Sequence, residues 1–182
     1  IIGQLHQSYI LLEVPQGLWI LDQHIVHERI LLEQLEASWE TSTIQVQEIL
    51  PQHLEFTPSE AILVEEALSL LPGFGLELEP FGNNSFLLRA VPSSLAHSGG
   101  NWKEEILEIA TTSKKTTTQK QEALITLACK GAIKAGDYLD EKEMRALLDG
   151  LATTNNPFTC PHGRPIIIRL ENQELLRRFG RT

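Results

Sequence analysis

At 182 residues, 42% hydrophobic and 21% charged, with only 9 Pro and 12 Gly, the chain can bury the core of one domain or two small lobes, which excludes wholesale disorder. Its net charge of −9, from 24 acidic and 15 basic residues, argues against a protein that holds nucleic acid by its own charge, because Lys and Arg contacts to phosphate supply most non-specific affinity. No apolar run is long enough to span a bilayer and no signal peptide opens the chain, so a cytoplasmic location is expected; the start at Ile1, without a methionine, suggests a fragment of something longer.

In chain order, Ser8 to Val14 and Leu18 to Leu21 are apolar runs around the turn signal Pro15-Gln16-Gly17, which predicts a β-hairpin with Asp22 at its end. Ile25, Ile30, Leu31 and Leu35 predict an amphipathic helix to about Ala37, and Thr41 to Leu50 is extended again. Pro58 opens a helix that Pro72-Gly73 stops, and strands follow over Leu76 to Leu78 and Ser85 to Val91, around a turn at Phe81 to Asn84. Glu104 to Ala110 is a short helix, and the Thr- and Lys-rich Thr111 to Gln121 is a mobile linker. Helices over Glu122 to Ala135 and Glu141 to Leu151 precede the loop Ala152 to Pro165. A short buried strand at Ile166 to Ile168 and a helix from Asn172 to Phe179 close the chain. The fold class is α/β (α+β) with two lobes, residues 46–118 being inserted between 1–45 and 119–182. Gly73-Phe74-Gly75 lacks the later glycine and lysine of a phosphate loop.

Cys160-Pro161-His162-Gly163-Arg164-Pro165 sets a thiol and an imidazole two residues apart on a stiff turn, which suits a borderline-soft ion such as zinc. Two ligands do not fill such a site. Asp22, His24 and Glu28 are the nearest suppliers in type, since positions four apart on a helix share one face. Each also has an ordinary reading: Asp22 as a helix cap, Glu28 with Arg29 as solvated charge. His27 has a supporting or surface role. Cys129 sits on an apolar stretch where a buried core cysteine is the default, and it is the only other thiol. A disulfide would join the two cysteines, but a cysteine beside a histidine in a chain without a secretory signal points to metal or catalysis.

Asp22-Gln23-His24, with Glu28 and Glu33 behind it, resembles the Asp-Gln-His-Ala motif and spaced glutamates of endonuclease-type MutL proteins of DNA mismatch repair; Ile25 replaces the alanine. Ala128-Cys129-Lys130 resembles that family's Ala-Cys-Lys/Arg motif. Cys160 to Pro165 matches its CPHGRP motif letter for letter, and Phe179-Gly180-Arg181 resembles its Phe-x-Arg motif. The order agrees, and the resemblance covers almost the whole chain from Gly3-Gln4 onward.

The resemblance implies a C-terminal domain that dimerises and nicks DNA, with 1–45 and 119–182 as a dimerisation subdomain carrying the metal site and 46–118 as a regulatory subdomain. It implies His24, Glu28, Cys129, Cys160 and His162 as metal ligands, with Asp22 and Glu28 catalytic. Cys129, Cys160 and His162 form a softer half-site that favours structural or regulatory zinc, while a harder ion such as manganese serves the chemistry. Arg164 meets a phosphate or braces the turn against a carboxylate, with the brace preferred.

The implied partners are a second copy, DNA bound weakly by the chain alone, the mismatch-recognition protein MutS and the replication sliding clamp, on the bacterial nucleoid and away from membranes. Related domains bind the clamp through Gln-x-x-x-x-Pro. Here Gln45 is one residue too far from Pro51 and Gln47 one too near, so clamp binding by Gln47, Ile49, Leu50 and Pro51 stands beside an ordinary edge strand ending at proline. A non-catalytic, zinc-stabilised dimerisation module is the alternative function. A zinc deaminase is set aside, because its His-x-Glu and Pro-Cys-x-x-Cys signature is missing.

Overall fold

Pro15 and Gln16 form the two-residue turn that fixes the first sheet. In the computed structural model, which describes residues 1–41, 44–96, 101–112 and 117–181, this turn joins β2 (Tyr9–Val14) to β3 (Gly17–Asp22). They pair antiparallel from Val14 opposite Gly17 to Tyr9 opposite Asp22. A strand absent from the sequence reading, β1 (Gly3–Leu5), adds to one edge, and β7 (Ile167–Glu171) pairs with β3 on the other, giving the order β1-β2-β3-β7. The alternation of the strands sends Ile10, Leu12, Trp19, Leu21 and Ile167 to one face, in the core cluster. Leu11, Leu18, Ile20, Ile168 and Leu170 lie on the other. The Ile166 to Ile168 run is therefore not a buried strand: Ile166, just before β7, is 1% exposed and in the core cluster, whereas Ile168, on the sheet face away from that cluster, is 57% exposed.

The chain divides into two compact units, 1–30 with 132–182 and 31–131. The division falls at 30/31 and 131/132 rather than at 45/46 and 118/119, so much of α1 (Gln23–Glu40) and all of α4 (Thr117–Gly131) go with the middle segment. In the first unit α5 (Glu141–Ala152) packs Met144, Leu147 and Leu151 into the cluster with Ile10, Leu21, Val26 and Ile30; each such side chain contributes about 2 kcal/mol by leaving water. A reciprocal cap, Asp140 with Glu143, starts α5. The last helix, α6 (Asn172–Arg178), begins where the Asn172 backbone N–H donates to Gln16 O (2.9 Å) and its side chain to Pro15 O (3.0 Å), clipping β7 to the hairpin turn.

The second unit has a three-stranded sheet, β4 (Val46–Glu55), β5 (Glu77–Gly82) and β6 (Ser85–Pro92), in the order β4-β6-β5. Central β6 is mostly buried. Asn83 and Asn84, at φ 49° and 59°, make a two-residue turn rather than the four-residue one expected, and asparagine tolerates that left-handed backbone. The helix α2 (Pro58–Ala67) carries a Thr57–Glu60 capping box and ends well before Pro72, which lies in a separate 3-10 turn, Leu71–Phe74. β4 starts later than the extended stretch expected from Thr41, and it runs through Pro51 to Glu55. The expected linker is largely helical: α3 (Trp102–Thr112) extends through Thr112, and α4 starts at Thr117; residues 113–116 lie outside the described set. No helix among the described residues is long and apolar enough to cross a membrane.

Candidate metal centre

The first unit brings the Asp22 motif and the Cys160 turn together by strand pairing. Asp22 ends β3, and its backbone N–H donates to Ile166 O at 3.3 Å, just past Pro165. The Asp22 carboxylate caps α1, Oδ1 accepting from the His24 N–H (3.0 Å) and the Ile25 N–H (3.1 Å). Its ordinary reading is thus satisfied by one oxygen.

Gln23, fully buried, is a structural hub whose partners no motif announces. The two N–H bonds of its Nε2 are shared among Gln7 O (2.8 Å), Lys134 O (3.0 Å) and Asp137 O (3.0 Å), and its Oε1 accepts from Gln4 Nε2 (2.6 Å). The loop after residue 132 is thereby fixed against α1, as buried polar groups require.

One residue of that loop holds two imidazoles. His24 Nδ1 lies 2.8 Å from Ile133 O, and the Ile133 N–H donates to His27 Nδ1 at 3.0 Å. A carbonyl only accepts, so His24 carries its proton on Nδ1 and in the neutral ring turns a lone pair out on Nε2, the usual state of a metal-binding histidine oriented by a backbone oxygen. Burial, with the charges of His24 and Lys134, lowers the His27 pKa from 6.5 to about 4. Below pH 6.5 the unfolded chain takes up a proton that folded His27 refuses. Stability is therefore fully present above about pH 6.5 and falls as pH drops towards 4, by about 3 kcal/mol in all. Urea melts of metal-free protein should show this fall, and His27→Gln, which keeps an acceptor for the Ile133 N–H, should flatten it. An equally steep fall in the variant would show that other groups set the slope.

Glu28 is one helical turn beyond His24 and 4% exposed. Its Oε1 lies 3.1 Å from Nδ1 of His162, whose side chain is 52% exposed. Residues far apart in sequence, from two different motifs, thus share a buried carboxylate and a half-exposed imidazole. Arg29 holds the partner loop: Nε and Nη2 both donate to Thr159 O, at 2.9 and 2.6 Å. Within the loop the Cys160 N–H donates to Arg164 O (2.9 Å), the Gly163 N–H to Cys160 O (3.0 Å) and the Arg164 N–H to Cys160 Sγ (3.3 Å). Gly163 sits at φ 79°, a backbone that favours glycine.

The expected site residues divide accordingly. Glu28 and His162 touch. His24 and Asp22 begin the same helix. Cys160 is 3% exposed and belongs to the core cluster, as a packing cysteine would, although its sulfur already accepts a backbone N–H. Cys129 lies on α4 in the second unit as a half-buried thiol that joins no disulfide. The expected Arg164 brace is not seen. Its side chain is exposed and, among the described residues, no carboxylate pairs with it; Arg29, read from sequence as solvated charge, is 9% exposed and does the bracing. Of the clamp residues, Ile49, Leu50 and Pro51 fall where the β4–β6 register shifts between Glu48 and Gln52, and Leu50 is 89% exposed on this edge strand. The donors of the first unit (a carboxylate and imidazole in contact, and a second imidazole with its Nδ1 already engaged) fit a divalent ion of borderline character.

The family model described as the MutL C terminal dimerisation domain matches residues 2–139. The chain belongs to that family. Among curated proteins it is similar to the DNA mismatch repair protein MutL of Exiguobacterium sp. (strain ATCC BAA-1283 / AT1b), 40% identical over 186 residues that cover 100% of this chain and 31% of the relative. The MutL proteins of Halothermothrix orenii and Bacillus pumilus are 38% and 39% identical, each over 100% of this chain and 29% of the relative. The chain thus spans about a third of the length of these bacterial MutL relatives, and the likeness to them, unlike the family model, extends across the Cys160 to Pro165 turn.

Proposed function

We propose that this chain is the dimerising, metal-dependent DNA-nicking part of a bacterial mismatch-repair MutL protein, hydrolysing a phosphodiester bond. The observation that carries the reading is the 3.1 Å contact between Glu28 and His162, which joins two sequence-distant motifs at one place. Glu28, His24 and His162 would hold the ion, with Cys160 and, by its motif, Cys129 on the softer side. When bound, a divalent ion there would supply Lewis acidity. Asp22 and Glu28 offer carboxylate oxygens to take the proton from the attacking water. His24 is kept in one tautomer by Ile133 O, and Arg29 keeps the Cys160 turn in place. Manganese serves the catalytic role and zinc the structural or regulatory one. Elemental analysis after gel filtration tests the site: wild type should retain bound metal, and Glu28→Gln with His162→Ala should lose it. Equal metal content in both would remove this pair from the ligand set.

Dimerisation uses the sheet face opposite the core in this reading. Leu11, Ile20 and Ile168 line up across three strands there, with Leu18 and Leu170 beside them. Ile20→Asp with Ile168→Asp should give a folded monomer by sedimentation equilibrium, since a charge in an apolar interface is desolvated without a partner. A persisting dimer would place the interface elsewhere.

The replication sliding clamp is the partner proposed for Gln47, Ile49, Leu50 and Pro51, because an exposed leucine at a bulge on an edge strand suits capture in an apolar groove. Alanine at Gln47, Ile49 and Leu50 together should weaken clamp binding at least about tenfold with the dimer intact. Unchanged affinity in a titration would leave the segment a strand only. MutS and DNA, on the nucleoid in the cytoplasm, complete the proposed partners.

A further inference from the structure

The chain holds 24 acidic against 15 basic residues, so positive contacts open to an anion are few. Arg29 is held by a carbonyl, and Arg89, Arg145 and Arg178 by carboxylates. Arg169, on β7, is exposed, and among the described residues no carboxylate pairs with it. It is not loose. Its Cζ lies 4.9 Å from the centroid of the Trp19 ring, the residue opposite it on β3, and 5.7 Å from that of Phe158.

We propose that Arg169, stacked on Trp19 and Phe158, is a docking point for a backbone phosphate of the DNA strand to be cut. A guanidinium against aromatic faces uses its π surface on the rings, while its N–H donors lie in the plane and remain open to two oxygens of one phosphate. The rings also limit the rotamers that an unsupported arginine would lose on binding. Phe158 is 58% exposed, leaving aromatic surface for a sugar or an unstacked base. Phe158 leads into the Cys160 turn and its O accepts from the Ile166 N–H at 3.0 Å, so Arg169 and His162 ride on one loop-and-strand piece. Arg169 lies on the Trp19 side of the sheet, opposite Ile168, so a dimer formed through the other face leaves it accessible. An acidic chain thereby gains a local positive contact on the strand that leads out of the Cys160 turn. The ligand's identity as DNA rests on the nuclease reading, but the docking is measured without it.

The test is fluorescence anisotropy of a labelled duplex of mixed sequence with the full chain, without added metal, from about 25 to 150 mM KCl. Wild type, Arg169→Gln, Arg169→Lys and, as a remote charge control, Arg145→Gln are compared. Arg169→Gln should weaken binding about fivefold to tenfold at the lowest salt and lower the slope of log affinity against log salt by about one. Arg169→Lys should keep the slope, and Arg145→Gln should keep both. Melting temperatures of all four should agree within about 2 °C. A lost slope in a protein that does not nick would defeat the nuclease reading and leave the phosphate contact standing. Unchanged affinity and slope in Arg169→Gln, an equal loss in Arg145→Gln, or no duplex binding by wild type would each overturn the proposal. Displacement of the duplex by about 10 mM inorganic phosphate at constant ionic strength would overturn it too, by assigning the pocket to the free anion.

Discussion

Replacing Asp22 by asparagine should leave the chain folded and reduce DNA nicking by at least about a hundredfold. Oδ1 of Asp22 accepts from the His24 and Ile25 N–H groups, and asparagine caps a helix as well as aspartate does, so α1 keeps its start. What asparagine removes is the charge. A neutral amide is a poor ligand for a hard ion and a poor acceptor for a proton from water. Melting temperature should move by no more than about 2 °C, whereas Asp22→Ala should lose about 1 kcal/mol with the cap. Metal-dependent nicking at the wild-type rate by a folded Asp22→Asn protein would return Asp22 to the role of a cap and nothing more.

Gly17→Ala should have the largest effect on stability. Gly17 opens β3 at φ 147°, a backbone that side chains rarely adopt, and a Cβ there would press into Leu170 O, with Asn172 N and Glu171 Cα at 3.1 Å. All three neighbours are backbone, so no side chain can swing aside. Either β3 distorts or β7 moves off, and together these cost about 3 kcal/mol or more, some 10 °C in melting temperature. Because β7 follows directly on the Cys160 turn and the Asp22 N–H reaches Ile166 O, a displaced β7 should also lower metal retention. Gly163→Ala is the milder comparison: its φ of 79° is strained, but nothing lies within 4 Å of the added Cβ. A wild-type melting curve for Gly17→Ala would mean that β7 is not pinned where it lies.

The parts of the fold that could be read in advance are those whose chemistry is local. Pro15-Gln16 names its own hairpin, and Met144, Leu147 and Leu151 space a helix by themselves. The Thr- and Lys-rich stretch before Glu122 hid the first turns of α4, since composition carries no periodicity there. Three consecutive isoleucines look like a buried strand, yet Ile168 faces outward on an edge. The unit boundary was not legible either, because the single helix α1 runs across it. Within the candidate site, residue types and order were readable, but not their companions. That Arg29 rather than Arg164 braces the turn depends on Thr159 O, a backbone atom no motif announces. The same holds for Gln23, whose partners are three carbonyls and another glutamine.

The most direct test of metal-dependent cleavage is the conversion of supercoiled plasmid to nicked circles by the full chain, stripped of metal and then titrated with manganese in the presence and absence of zinc. The account predicts no nicking without metal, nicked circles that grow with manganese, and loss of that activity in Glu28→Gln. Nicking that persists in excess chelator, or a wild type that binds metal and dimerises yet never cuts at any metal concentration, would contradict it.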